Sequence, residues 1–92
     1  MAKVVITMRV MPTSPEVDLN RLLEKVKTEI TKFSGEEQFK VEEKPVAFGL
    51  KALEIIFVMD ESKGDTEPLE KKIGEIEEVN SVEVTDVRRA VG

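Results

Sequence analysis

The hydrophobic period of this chain switches between two and about 3.6 in a fixed order, and that order constrains its architecture more than any other feature. From Lys3 to Met11, Val4, Ile6, Met8 and Val10 alternate with Val5, Thr7, Arg9 and Met11, the pattern of a strand with two distinct faces. Pro12 and Pro15 end it, because each removes a backbone donor. From about Asp18, Leu19, Leu22, Leu23, Val26, Ile30 and Phe33 recur three and four apart. This spacing predicts an amphipathic helix closed at Ser34-Gly35, with Gly35 as a left-handed cap. Gln38 to Lys44 alternates again, and Pro45 with the charges of Lys40, Glu42 and Lys44 marks this second strand as a sheet edge. Leu50 to Asp60 sets Leu53, Ile55, Phe57 and Met59 against Ala52, Glu54, Ile56 and Val58, the expectation for a central strand. Thr66 is the expected N-cap of a second helix, with Pro68 in its first turn and Leu69, Ile73 and Ile76 as its stripe. Ser81 to about Arg89 reads as the last strand, with Val82 and Val84 facing opposite to Glu83 and Thr85.

Strand, helix, strand, strand, helix, strand is an α+β series, and two right-handed crossovers place both helices on one face of the sheet. The expected fold is a ferredoxin-like βαββαβ sandwich with a four-stranded antiparallel sheet in the order 4-1-3-2. Its core should combine Val4, Ile6, Met8, Leu53, Ile55, Phe57, Val82 and Val84 with Leu22, Leu23, Val26, Ile30, Leu69, Ile73 and Ile76. The 92 residues suffice for one such core and not for two, so the expectation is one domain over residues 1–92.

Composition then removes whole classes of chemistry. There is no Cys and no His, which excludes disulfides, thiolate zinc sites, Cys nucleophiles and imidazole acid/base catalysis. Nineteen acidic residues against fourteen basic ones give a formal net charge of −5, a balance that repels nucleic-acid backbones. The longest apolar run, about Ile55 to Met59, is far too short to span a bilayer, and no signal-peptide core is present. A soluble cytoplasmic protein is expected, without direct nucleic-acid or membrane contact and monomeric when free.

Familiar uses of the fold can be tested against the loop after the first strand. Met11-Pro12-Thr13-Ser14-Pro15 offers no soft metal ligand for a metallochaperone and neither the Gly-rich cradle nor the Arg of an acylphosphatase-like enzyme. An RNA-recognition sheet would need aromatics on its central strands, and only Phe57 lies there, on the core-facing side. The carboxylate clusters Glu36-Glu37, Glu42-Glu43, Asp60-Glu61 and Glu75 with Glu77-Glu78 read as solvated ion-pair partners. No metal, cofactor or covalent chemistry is expected. A small-molecule-binding regulatory module of the same fold stands as the alternative function.

Two segments resist a purely structural account. Pro45-Val46-Ala47-Phe48-Gly49-Leu50-Lys51 sets an aromatic immediately before a glycine between two strands, either to close the sheet end or to anchor a partner. At the other end of the sequence, Asp86-Val87-Arg88-Arg89-Ala90-Val91-Gly92 concentrates two Arg on an acidic chain, as solvated strand ends or as cations for an anionic pocket.

At these segments the chain resembles the elongation factor 1-beta family in its short archaeal form, which consists of the exchange domain. The likeness is carried by Pro-Val-Ala-Phe-Gly-Leu-Lys-Ala-Leu at Pro45 to Leu53, by Leu53 to Met59 ending in Asp60-Glu61, and by Val79-Asn80-Ser81-Val82-Glu83-Val84. It covers essentially the whole chain. The resemblance implies a guanine-nucleotide exchange factor that promotes replacement of GDP by GTP on elongation factor 1-alpha and transforms no covalent bond. It implies partner docking through Phe48, with Gly49 and Val87 also in the partner-binding set. In the family a Lys near the C-terminus reaches toward the magnesium and phosphate region of the GTPase. Alignment of the last strand puts Arg89 at that position, with Arg88 as a possible substitute. Arg keeps the cation but is wider and planar, a departure from the family pattern.

Overall fold

The computed structural model describes residues 2–35 and 38–89. Its elements are β1 (Lys3–Pro12), α1 (Leu19–Ser34), β2 (Phe39–Pro45), β3 (Lys51–Asp60), a 3-10 turn (Glu61–Lys63), α2 (Glu67–Gly74) and β4 (Val79–Arg89). The sheet order is β2-β3-β1-β4 with every pair antiparallel, which is the expected 4-1-3-2 read from the other edge. β2 is indeed an edge, and β1 and β3 are central.

Local chemistry explains where α1 begins and ends. Asp18 is extended, and its carboxylate accepts hydrogen bonds from the N–H groups of Asn20 at 3.0 Å and Arg21 at 3.3 Å. Such a cap contributes about 1 kcal/mol. Gly35, with φ of 77°, supplies the left-handed exit and donates its N–H to the Thr31 carbonyl at 2.8 Å. The second helix departs from expectation at its start. Thr66 precedes α2, but its hydroxyl donates to Glu70 Oε2 at 2.9 Å and makes no cap bond. The Asp65 carboxylate accepts from the Glu67 N–H instead, at 3.0 Å. Thr66 is already in the right-handed helical region, so its side chain is not held in the extended geometry a cap requires.

The core lies between the sheet and the two helices. Ile6, Met8, Val10, Leu53, Ile55, Phe57 and Met59 pack below Leu22, Val26, Ile30, Leu69 and Ile73, all essentially inaccessible to water. Val82, Val84, Leu23 and Ile76, expected in the core, are half-buried at its margin. Geometry accounts for β4: α2 has eight residues, about 12 Å of helix, whereas β4 has eleven, about 37 Å of strand. One short helix cannot cover so long an edge strand. Ala52, expected on the open face, is nevertheless fully buried.

Simple alternation also fails in β4. Met8 pairs with Val84 while Thr7 pairs with Asp86, so Thr85 is an extra residue, a β-bulge. The phase of the strand flips there. Val87 and Arg89, opposite Ile6 and Val4, fall on the helix-bearing face, and Asp86 and Arg88, opposite Thr7 and Val5, fall on the open face. Among the described residues, no helix is long and apolar enough to cross a membrane.

Candidate functional site

The two segments that packing does not explain sit at opposite ends of the sheet. Leu53, beside the β2–β3 hairpin, pairs with Val10 of β1, whereas Arg89 pairs with Val4. Val10 lies six steps along the strand from Val4, about 20 Å at 3.3 Å per residue, and the hairpin tip lies beyond that. The folded chain measures 42 Å along its long axis.

At the hairpin end, the Leu50 N–H donates to the Ala47 carbonyl at 3.1 Å and closes a tight turn. Its central residues, Phe48 (φ 58°) and Gly49 (φ 77°), both lie in the left-handed region, as a type I′ turn requires. For Gly49 that conformation carries no penalty. For an L-residue such as Phe48 it costs about 1–2 kcal/mol. Phe48 nonetheless has 95% of its surface in solvent, so it closes no core. The tip faces the β1–α1 loop on one side, where a Cβ added at Gly49 would lie 3.9 Å from Pro15. Pro15, Val17, Leu19, Gly49 and Lys51 border a hollow of about 240 Å³, with the Lys51–Glu43 ion pair at 3.9 Å on its rim.

At the other end, the bulge separates the two arginines. Arg88 turns to the open face, where its Nε pairs with Asp86 at 2.8 Å. Arg89 turns to the helix-bearing face, where its Nη2 donates to Glu61 Oε1 at 2.6 Å. Beside that pair, Val4, Ile6, Met59 and Val87 floor a notch of about 260 Å³ rimmed by Glu61, Gly64, Asp65 and Thr66. Val87 is 58% exposed and forms an apolar shoulder next to the Arg89 cation. Asp60 stiffens the rim: its carboxyl accepts from the Ser62 N–H at 2.9 Å, and this bond holds it below the ordinary carboxylate range. Ala90, Val91 and Gly92 of the terminal segment, and the Glu36-Glu37 acidic pair, lie outside the described residues.

The structure therefore brings Val87 and Arg89 together, joins Gly49 to Phe48, sends Arg88 elsewhere and keeps the two clusters apart. Glu61 is the residue to which sequence reasoning gave no role: Asp60-Glu61 read as a solvated acidic pair and as the end of a segment that carries the family likeness. Among the described residues, no group of three or more acidic side chains is gathered as a metal site.

Comparison with known proteins bears on both ends. A family model described as the EF-1 guanine nucleotide exchange domain matches residues 5–90. Elongation factor 1-beta of Methanosphaera stadtmanae is 46% identical over 89 residues, covering 97% of this chain and 98% of that protein. Elongation factor 1-beta of Methanothermobacter thermautotrophicus is 45% identical over 89 residues, with the same coverage. That of Methanocaldococcus jannaschii is 42% identical over 90 residues, covering 98% and 100%. Among solved structures, the de novo designed protein Foldit4 superposes with a TM-score of 0.65 at 19% identity, covering 98% of each chain, a likeness of fold alone. With a match running through the hairpin and through Arg89, this chain belongs to the EF-1 guanine nucleotide exchange domain family.

Proposed function

We propose that this chain is a non-covalent exchange factor that promotes replacement of GDP by GTP on translation elongation factor 1-alpha during protein synthesis. Phe48 docks on the GTPase, supported by Gly49, and Arg89 reaches toward the magnesium and phosphate site with Val87 as its apolar shoulder. One observation carries the reading: Phe48 is almost wholly exposed in a left-handed backbone conformation that costs the free protein stability and returns no burial. Such a residue is accounted for by what it meets in a complex.

The physical logic is linkage. A factor that binds the nucleotide-free GTPase more tightly than the loaded form weakens nucleotide affinity by the same ratio. A guanidinium competing for phosphate oxygens, or for the carboxylates that support magnesium, lowers the hold of the metal on GDP. Each tenfold gain in release rate corresponds to about 1.4 kcal/mol. Because the two clusters are about 20 Å apart or more, the partner surface must span the sheet from end to end.

In this reading the exchange domain occupies residues 1–92, is a monomer when free and acts in the cytoplasm. It holds no cofactor or metal of its own, and its charge of −5 disfavours direct nucleic-acid contact. In this reading Arg89 and not Arg88 is the working cation, a choice supported by the bulge at Thr85, which turns Arg88 to the face opposite Val87 and the notch. The test is stopped-flow dissociation of labelled GDP from elongation factor 1-alpha. Saturating wild-type protein accelerates release, Arg89→Ala loses most of the acceleration, and an unchanged off-rate with wild type would refute the reading.

A further inference from the structure

We infer that Glu61 is the positioning residue for Arg89: its carboxylate holds one corner of the guanidinium so that the rest of the fork faces the anionic site of the GTPase. This rests on the Arg89 reading above and names the part of the chain that aims the cation.

The two partners differ in how firmly they are held. Arg89 is the last described residue of an edge strand, with 73% of its side chain in solvent and a long flexible stem. Glu61 stands on a braced turn. Its N–H donates to the Ala2 carbonyl at 3.0 Å, its carbonyl accepts from the Gly64 N–H at 3.1 Å, and the Asp60 carboxylate caps Ser62 at 2.9 Å. An acid on a hydrogen-bonded turn thus meets a cation at a strand end across 28 positions of sequence. The contact is single, from Nη2 to Oε1, and it leaves the other guanidinium donors open. A bidentate clamp would have consumed the fork that carboxylate or phosphate recognition uses. Arg88 also makes a single contact, through Nε to Asp86, and differs in lying on the other face of the sheet. Stability does not account for the Glu61 contact either, because both side chains are substantially exposed and such pairs contribute little to folding.

The experiment is a double-mutant cycle on the maximal rate of GDP release from elongation factor 1-alpha, with wild type, Glu61→Ala, Arg89→Ala and the double variant, each checked by thermal melting. Glu61→Ala should lower the stimulated rate about threefold to fivefold, the span open to an exposed ion pair, and leave the half-saturating concentration within about twofold. Glu61→Gln keeps an acceptor oxygen and should stay within about twofold of wild type. The double variant should match Arg89→Ala alone. If Glu61→Ala releases GDP like wild type while Arg89→Ala does not, the inference fails and the Arg89 reading stands. A full further loss from Glu61→Ala in the Arg89→Ala background overturns it as well, because Glu61 then acts independently of Arg89. Wild-type release by Arg89→Ala sinks the reading of Arg89 and this inference together.

Discussion

Replacing Phe48 by Asn separates what the hairpin tip does for folding from what it does for a partner. The left-handed backbone at Phe48 costs about 1–2 kcal/mol for an L-residue. Asn occupies that region far more readily, and Asn-Gly is the preferred pair at the centre of a type I′ turn. Since Phe48 is 95% exposed, its removal forfeits almost no burial. Phe48→Asn should therefore stabilise the free protein by about 1 kcal/mol, which for a domain of this size raises the melting temperature by about 4–8 °C. Binding should move the other way. Loss of an aromatic anchor worth about 2 kcal/mol weakens affinity for elongation factor 1-alpha roughly thirtyfold. Circular-dichroism melts and calorimetric titration read the two effects on the same samples. A fall in melting temperature would show that Phe48 closes the sheet end, and an unchanged dissociation constant would show that it docks on nothing.

Other outcomes follow from the same geometry. Arg89→Ala should keep its fold and lose at least tenfold in stimulated GDP release, whereas Arg88→Ala should stay within about twofold; equal losses would contradict the division of faces made by the bulge. Ile73→Ala, at a fully buried position on α2, should destabilise by about 2–5 kcal/mol in a denaturant titration, and a cost below about 1 kcal/mol would argue that α2 is loosely docked. Glu78 gives a pH signature: hydrogen bonds from the Lys25 ammonium at 2.8 and 2.9 Å hold its carboxyl below the ordinary value of 4.5. A lowered folded-state value contributes stability that is present above the unfolded value and lost as pH falls through the folded one. The melting-temperature gap between wild type and Lys25→Met should be open above the ordinary value of 4.5 and narrow as pH falls below it, and a gap that does not change with pH would refute the assignment.

Periodicity carried most of the fold because each element has one strongly apolar face. The five leucine, valine and isoleucine positions of α1 and the alternation of β1 and β3 point to one arrangement, and Pro45 identifies an edge by its missing donor. What alternation could not reveal was the bulge. Counting by twos from Val82 puts Arg88 with the core-facing residues and Arg89 with the outward ones, and the extra residue at Thr85 reverses both. No local motif marks Thr85 as extra, since the bulge is set by pairing with β1 across the sheet. Thr66 misled for a related reason: its hydroxyl has a better partner one turn on, in Glu70, than the amides it was expected to cap. Glu61 was legible only through topology. Once β3 and β4 are known to flank β1, the residue after Asp60 and the residue opposite Val4 must lie at one end of the sheet.

If Phe48 docks and Arg89 acts as proposed, that topology also divides the work between the two ends. β1 is common to both, with its start beside Arg89 and its finish beside the hairpin, and it is paired with a strand on each side. A rigid spacer of this kind converts affinity at one end into local concentration at the other. On the proposed reading, contact energy at Phe48 would be present in the nucleotide-loaded and empty complexes alike, so it would set how much factor is needed without setting how fast GDP leaves. Contact energy at Arg89 would, in the same reading, differ between those complexes, because the cation and the magnesium–nucleotide pair would compete for the same oxygens, and only a difference of that kind can drive exchange. Excess protein should thus compensate for damage at the hairpin and never for damage at the cation.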